Sequence, residues 1–78
     1  MEGTVRERVL KVIAEESGYE AGDLKLVDNL QADLGLDSLA MVNLQIELEA
    51  EFGIELPDQS FRNVHTVGGL IAFVMREV

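Results

Sequence analysis

The sequence contains no cysteine and few basic residues. Six Lys and Arg stand against fifteen Asp and Glu, which gives a formal net charge of −9. Without cysteine there is no disulfide, no thiolate metal site and no thiol nucleophile. The negative charge opposes nucleic-acid binding, because that binding depends on clusters of Lys and Arg. The single histidine, His65, leaves little for acid–base chemistry or a His metal site. We therefore expect neither catalysis nor a bound metal.

Long apolar runs are also missing. No run approaches the ~18 residues that a membrane-spanning helix needs, and the first residues lack the pattern of a signal peptide. The 78 residues are 47% hydrophobic and 27% charged, which is typical of a folded domain rather than a disordered chain. We expect one cytoplasmic, monomeric domain over residues 1–78, without membrane insertion. Its small core and repelling charges predict modest stability that rises with salt.

The hydrophobic pattern predicts an all-α chain with three longer helices and one short one. Thr4 and Glu7 have the spacing of a capping box at the start of the first helix, and Gly18 is expected to end it. Thr66 is expected to cap the last helix. The core-facing side of that helix is predicted to consist of Val67, Leu70, Ile71, Val74 and Val78.

The second helix, expected between the caps Asp37 and Gly53, has two apolar faces. At about 100° per residue, one face carries Met41, Leu44, Leu48 and Phe52, and the opposite face carries Leu39, Val42, Ile46 and Ala50. We expect the first face in the core. The second would then be an exposed docking strip with an acidic rim, unless the helix is central and both faces are buried.

A long connection precedes the second helix. Residues 18–36 show no convincing helical period, and a loop of that length is usually functional or disordered. We expect an ordered loop, because apolar residues that need burial recur along it: Leu24, Leu26, Val27, Leu30, Leu34 and Leu36. This loop would deliver Asp37 and Ser38 to a fixed position. Residues 57–63 suit one short helical turn near the other end of the chain.

Ser38 is the candidate modification site. With Asp37 as the N-cap, Ser38 occupies the first helical position, where backbone N–H groups lack partners and the helix dipole favours negative charge. A phosphate ester would be stabilised there, and the hydroxyl would be accessible to a modifying enzyme. The residues alone leave a second interpretation open, in which Ser38 is only an additional capping residue.

The run Asp33-Leu34-Gly35-Leu36-Asp37-Ser38-Leu39 resembles the D-L-G-x-D-S-L signature of acyl carrier proteins. The resemblance continues in register through residues 47–58 and 64–67, and it covers essentially the whole chain. It implies a four-helix bundle in which Ser38, flanked by Asp37 and Leu39, carries 4′-phosphopantetheine through a phosphodiester. The thiol of that group would hold acyl cargo as a thioester, so that a chain without cysteine can be a carrier and no enzyme.

The resemblance also implies partners. A phosphopantetheinyl transferase would take the group from coenzyme A with Mg²⁺. Acyltransferases, ketosynthases and other thioester-processing enzymes would then dock through basic patches. The residues expected to contact these enzymes are Leu36, Leu39, Val42, Asn43, Ile46, Glu47 and Glu49.

Departures from the family pattern bear on the pathway. Fatty-acid carriers usually have acids where this chain has Ala40 and Asn43, and a small alanine where it has Leu36. These differences favour polyketide or other specialised biosynthesis, with fatty-acid biosynthesis as the close competitor. Because the chain starts at Met1, we expect a discrete, type II carrier. Peptidyl carriers often have His before the serine, so Asp37 argues against that branch.

Three other hypotheses remain for the same residues. A catalytic domain could use Ser38 with His65 and an acid, although His65 is the only histidine and no oxyanion loop is recognisable. A calcium sensor could use the acids, although the calcium-loop pattern is absent, and weak divalent binding near Asp33 and Asp37 stays possible. An acidic, non-catalytic interaction module could have kept the carrier fold.

Overall fold

The computed structural model describes residues 3–78. Over these residues the chain folds into four α-helices, and no strand is formed apart from an isolated antiparallel bridge between Asn29 and Thr66. A short 3-10 turn, Ala21–Asp23, lies in the connection after the first helix. The prediction of three longer helices and one short one is confirmed. The helices are α1 (Val5–Ser17), α2 (Ser38–Phe52), α3 (Asp58–Arg62) and α4 (Val67–Glu77).

The helices begin and end at the predicted capping residues. At the start of α1, Thr4 Oγ1 accepts from Glu7 N at 3.2 Å, and Glu7 Oε1 accepts from Thr4 N at 2.9 Å. Gly18 and Gly53 end α1 and α2 in the left-handed region, with φ of 81° and 64°. That conformation strains any residue with a Cβ. The chain direction at these helix ends is therefore set locally.

The core forms where α1 packs against both α2 and α4. On α2, Leu44 and Leu48 are fully buried, whereas Leu39 and Ile46 on the opposite face are 70% and 57% exposed. The helix α2 therefore buries one apolar face in the core and leaves the other exposed, so it is not a central helix with both faces buried. The buried residues of the chain are Val9, Val12, Ile13, Leu30, Leu34, Leu36, Leu44, Leu48, Leu56, Phe61, Val67, Leu70, Ile71, Phe73 and Val74.

The prediction for the core-facing side of α4 was wrong at one position. Val78 is 56% exposed, because α4 ends at Glu77 and the last residue lies beyond the core contacts. Phe73, which the predicted stripe omitted, is 3% exposed and fills the core instead. The other four predicted residues are buried.

The long loop is ordered but buries only part of its apolar set. Leu30, Leu34 and Leu36 are buried, whereas Leu26 and Val27 are 44% and 81% exposed. The prediction that the last two would need burial was wrong. These two residues lie where the loop passes the first turn of α4. Backbone hydrogen bonds fix this stretch of the loop.

Those hydrogen bonds join the loop to the first turn of α4. Gly68 N donates to Leu26 O at 2.9 Å, and Val67 N donates to Asp28 O at 3.0 Å. The first N–H groups of a helix have no partner within the helix, so the loop supplies the acceptors that α4 lacks. The approach is close, since a Cβ on residue 68 would lie 3.1 Å from Leu26 O.

Replacing Gly68 with Ala should therefore destabilise the protein. The new methyl group would press on the backbone carbonyl of Leu26, and overpacking of this kind costs about 1–3 kcal/mol. Alanine recovers up to about 1 kcal/mol through its higher helix propensity. We expect the free energy of unfolding, measured with urea, to fall by about 1 kcal/mol.

The matched control is Gly22→Ala, where a Cβ would meet nothing within 4 Å. This variant should unfold at the wild-type urea concentration or slightly above it. Equal midpoints for the two variants would contradict the close approach of the loop to α4.

Candidate functional site

A hydrogen-bonded turn immediately precedes the candidate serine. Asn29 Oδ1 accepts from the backbone N of Gln31 and Ala32 at 2.9 and 2.8 Å, and Asp33 Oδ2 accepts from Asn29 N at 2.7 Å. Gly35 takes a φ of 73°, which a residue without a Cβ adopts readily. The Asp33 carboxylate is thus part of the turn. Across residues 3–78, no three His, Asp or Glu side chains gather into a group that could hold a metal ion.

Ser38 is the exposed first residue of α2. The predicted cap is present, because Asp37 Oδ1 accepts from Ala40 N at 2.8 Å. Among the described residues, no acceptor reaches the backbone N–H of Ser38 or Leu39. These donors stand at the positive end of a 15-residue helix dipole. The position suits a negatively charged group on the serine oxygen.

Ser38 lies on an open groove of about 500 Å³ between α2 and α3. Hydrophobic side chains from the two helices and the segment after α3 line part of it, and polar side chains line the rest. The hydrophobic residues are Met41, Val42, Phe61 and Val64, and the polar ones are Gln31, Gln45, Asp58, Arg62 and His65. Such a mixed surface suits a flexible chain that carries both apolar and hydrogen-bonding groups.

Two side chains of α2 form hydrogen bonds with the segment that leads into α3, beside this groove. Gln45 Nε2 donates to Leu56 O at 3.0 Å and to Asp58 Oδ1 at 2.6 Å. Glu49 Oε2 accepts from Leu56 N at 2.7 Å. These bonds fix the segment that leads into α3. Gln45 belongs to neither apolar face of α2, so the hydrophobic pattern of the sequence does not predict its role.

The structure separates the residues expected to contact partners. Leu39, Val42, Asn43, Ile46 and Glu47 are exposed on one side of α2. They form what we term the α2 face.

Two other residues that were expected to contact partners, Leu36 and Glu49, are less exposed than the α2 face. Leu36 is 3% exposed, because it is one of the leucines that anchor the loop in the core, so its expected place on the docking surface is corrected. Glu49 is half-buried, and one of its carboxylate oxygens is bound to Leu56 N.

Three acids meet where α2 lies against α1. Although the side chain of Glu47 is exposed, reduced hydration there raises its pKa above the ordinary value of 4.5. The charge of Glu16, a hydrogen bond with Glu16 and the charge of Glu15 raise the pKa further. A hydrogen bond between two carboxyl groups needs a proton on one of them. At neutral pH these acids therefore repel one another beside the α2 face.

Comparison with known proteins agrees with this geometry. A family model described as the phosphopantetheine attachment site matches residues 7–74. The chain belongs to this carrier family. Its fold is also that of a solved carrier, the apo doublet acyl carrier protein from prodigiosin biosynthesis, with a TM-score of 0.78 and 23% sequence identity. The match covers 94% of this chain and 35% of that one, so the chain spans about a third of the solved protein.

The carrier family attaches 4′-phosphopantetheine, and the residues around Ser38 fit that group. Ser38 is exposed, the backbone N–H groups of Ser38 and Leu39 have no acceptor among the described residues, and the groove offers surface for the pantetheine chain. That chain contains amides, a hydroxyl and methyl groups, which matches a lining of mixed polarity. No helix within residues 3–78 is long and apolar enough to cross a membrane.

Replacing Glu47 with Gln should stabilise the carrier at neutral pH. A raised pKa means that the folded state binds the proton more tightly, so ionised Glu47 lowers stability above its folded pKa, and the cost vanishes below about pH 4.5. Removing the repulsion between exposed carboxylates changes the free energy of unfolding only slightly. We expect the melting temperature to rise by roughly 1–2 °C at pH 7 and to approach the wild-type value near pH 4.

Glu20→Gln is the control, since it removes the same charge from the loop after α1. The comparison requires melting curves of both variants at each pH. A gain at pH 4 as large as the gain at pH 7 would show that the carboxylate repulsion is not responsible.

Proposed function

We propose that this domain carries 4′-phosphopantetheine on Ser38 and presents acyl intermediates, held as thioesters, to biosynthetic enzymes. The observation that supports it best is the position of Ser38. The residue is exposed, begins α2 behind the Asp37 cap, and opens onto the groove. It also lies within the residues matched by the attachment-site family.

Attachment would be a phosphoryl transfer from coenzyme A. The Ser38 hydroxyl would lose its proton and bond to phosphorus, while the phosphoanhydride bond breaks and adenosine 3′,5′-bisphosphate leaves. The transferase and Mg²⁺ would supply the base and the charge stabilisation, because no general base contacts Ser38 in the described structure. The attached group supplies the thiol that holds the cargo.

The residues of the chain have positioning roles in this proposal. Asp37 fixes the start of α2 and keeps the Ser38 hydroxyl facing solvent. The anchored loop and the Asn29 turn keep that helix start in one place. Because the flexible arm would be attached at a fixed point, Ser38, the effective concentration of its cargo at each docked enzyme would be raised.

We also propose that partner enzymes dock on the α2 face. Its centre is apolar and exposed, and an interface core of this kind is desolvated on binding. The acids Glu47, Glu15 and Glu16 at its edge favour partners with basic patches. Ala40 and Asn43 make the first turns of α2 less acidic than is usual in fatty-acid carriers, which favours a specialised pathway such as polyketide biosynthesis.

Incubation with coenzyme A, Mg²⁺ and a broad-specificity phosphopantetheinyl transferase should increase the intact mass by one phosphopantetheine unit. Ser38→Ala should show no gain, since no oxygen remains at that position. His65→Ala should load as the wild type does, because a carrier needs no histidine for attachment.

The outcomes distinguish the alternatives. Loading of Ser38→Ala would place the attachment on another residue. Failure of the wild type to load would contradict the carrier proposal and favour an acidic interaction module that uses the α2 face.

Docking can be tested with Ile46→Glu, which puts a charge at the centre of the α2 face without touching the groove. We expect the transferase KM to rise about tenfold while kcat changes little, the signature of lost binding. Glutamate is a good helix former, so α2 should persist.

The matched control is Val27→Glu, which places the same charge at a valine that is 81% exposed on the loop. Its KM should stay near the wild-type value. A similar rise in KM for both variants would point to charge repulsion in general and against a specific docking face.

A further inference from the structure

Arg62 is a solitary cation on the groove. Between Lys25 and Arg76 it is the only Lys or Arg in the sequence. It ends the short helix α3, is exposed, and lines the groove that Ser38 opens onto. Among residues 3–78, no hydrogen bond or ion pair engages its guanidinium.

The nearest carboxylate in the sequence, that of Asp58, does not pair with Arg62. Asp58 lies one helical turn earlier and lines the same groove, yet its Oδ1 accepts from Gln45 Nε2 at 2.6 Å and no ion pair with Arg62 forms. The remaining polar side chains in the groove, Gln31 and His65, carry N–H donors. Arg62 is thus a charged donor without an acceptor on the groove that Ser38 lines, and a guanidinium of this kind binds an anion through charge-assisted hydrogen bonds.

We infer that Arg62 binds the phosphodiester formed on Ser38 and so holds the attached arm along the groove. The inference rests on the proposed attachment at Ser38. A phosphate on the serine oxygen stays at this end of the groove whatever the cargo, whereas the thioester lies a whole arm length away. The planar guanidinium can donate two parallel bonds to phosphate oxygens. Arg62 is therefore a positioning residue that acts on the arm and not on the reacting thioester.

The contact is expected to be weak and sensitive to salt. Arg62 is exposed, and ion pairs between exposed groups gain little and are screened within about a Debye length. A weak contact suits a carrier, because the arm has to leave the groove when a partner enzyme docks. It also means that a sensitive difference measurement is needed.

The test compares urea unfolding of the unloaded and loaded forms of the wild type, Arg62→Gln and Arg6→Gln. Arg6 is an exposed arginine on α1 that does not line the groove, so its variant removes the same charge elsewhere. Loading should shift the urea midpoint of the wild type and Arg6→Gln alike. In Arg62→Gln the loaded form should gain less, by roughly a few tenths of a molar in urea. In 1 M salt this difference should disappear.

A second readout reports on the guanidinium itself. In nitrogen-resolved NMR spectra, the side-chain Nε–H signal of Arg62 should move on loading, and that of Arg6 should stay in place. Arg62→Lys keeps the charge and loses the planar fork, so its midpoint shift on loading should lie between those of the wild type and Arg62→Gln.

The outcomes separate the inference from the function on which it rests. If intact mass shows that every protein loads, but loading shifts the Arg62→Gln midpoint as much as the wild-type midpoint, the inference is wrong and the carrier function stands. If the wild type does not load, the proposed function is wrong and the inference fails with it.

Discussion

The position of Ser38 depends on backbone hydrogen bonds between the long loop and the first turn of α4. A helix start exposes N–H groups with no partner inside the helix, and here the carbonyls of Leu26 and Asp28 accept two of them. In the reverse direction, Leu30 N donates to His65 O at 2.8 Å. The loop is thereby fixed at one point, and the Asn29 turn and the buried Leu30, Leu34 and Leu36 lie between this point and Ser38.

The second constraint is that α2 has two apolar faces and only one core to bury them in. Leu44 and Leu48 stabilise the bundle, whereas the exposed Leu39 and Ile46 gain nothing from folding. An apolar strip that the fold leaves in water becomes useful when a partner covers it. The same helix carries the serine at its start and holds the wall of the groove through Gln45. Docking on α2, as proposed, would therefore place a partner next to Ser38.

Local chemistry explains which predictions from the sequence were right. The caps at Thr4, Asp37 and Thr66 and the end of α2 at Gly53 follow from neighbouring residues, and the structure has all of them. The two faces of α2 follow from helical geometry. Exposure of Leu26 could not be predicted, because it depends on how the loop lies against a helix forty residues away. Leu36 was expected both in the buried loop set and among the partner contacts, and the structure agrees with the first expectation. The place of Arg62 could not be predicted for a similar reason, since no sequence pattern shows that α3 puts it on the groove that Ser38 lines.

Two arginines of this acidic chain, Arg8 and Arg62, differ in what their guanidinium groups contact. Arg8 donates through Nε to Glu51 Oε2 at 2.9 Å and through Nη2 to Glu51 O at 2.8 Å, and it lies 4.4 Å from the centre of the Phe52 ring. It thus joins α1 to the end of α2, where the helix dipole is negative. Arg62, by contrast, lines the groove, and no residue of the described chain accepts a hydrogen bond from its guanidinium. Within residues 3–78, no ion pair joins Glu47, Glu15 or Glu16 to a cation, and the three acids repel one another, so a basic patch on a partner would relieve that repulsion on docking. Charge that lowers the stability of the free carrier would in this way favour the complex.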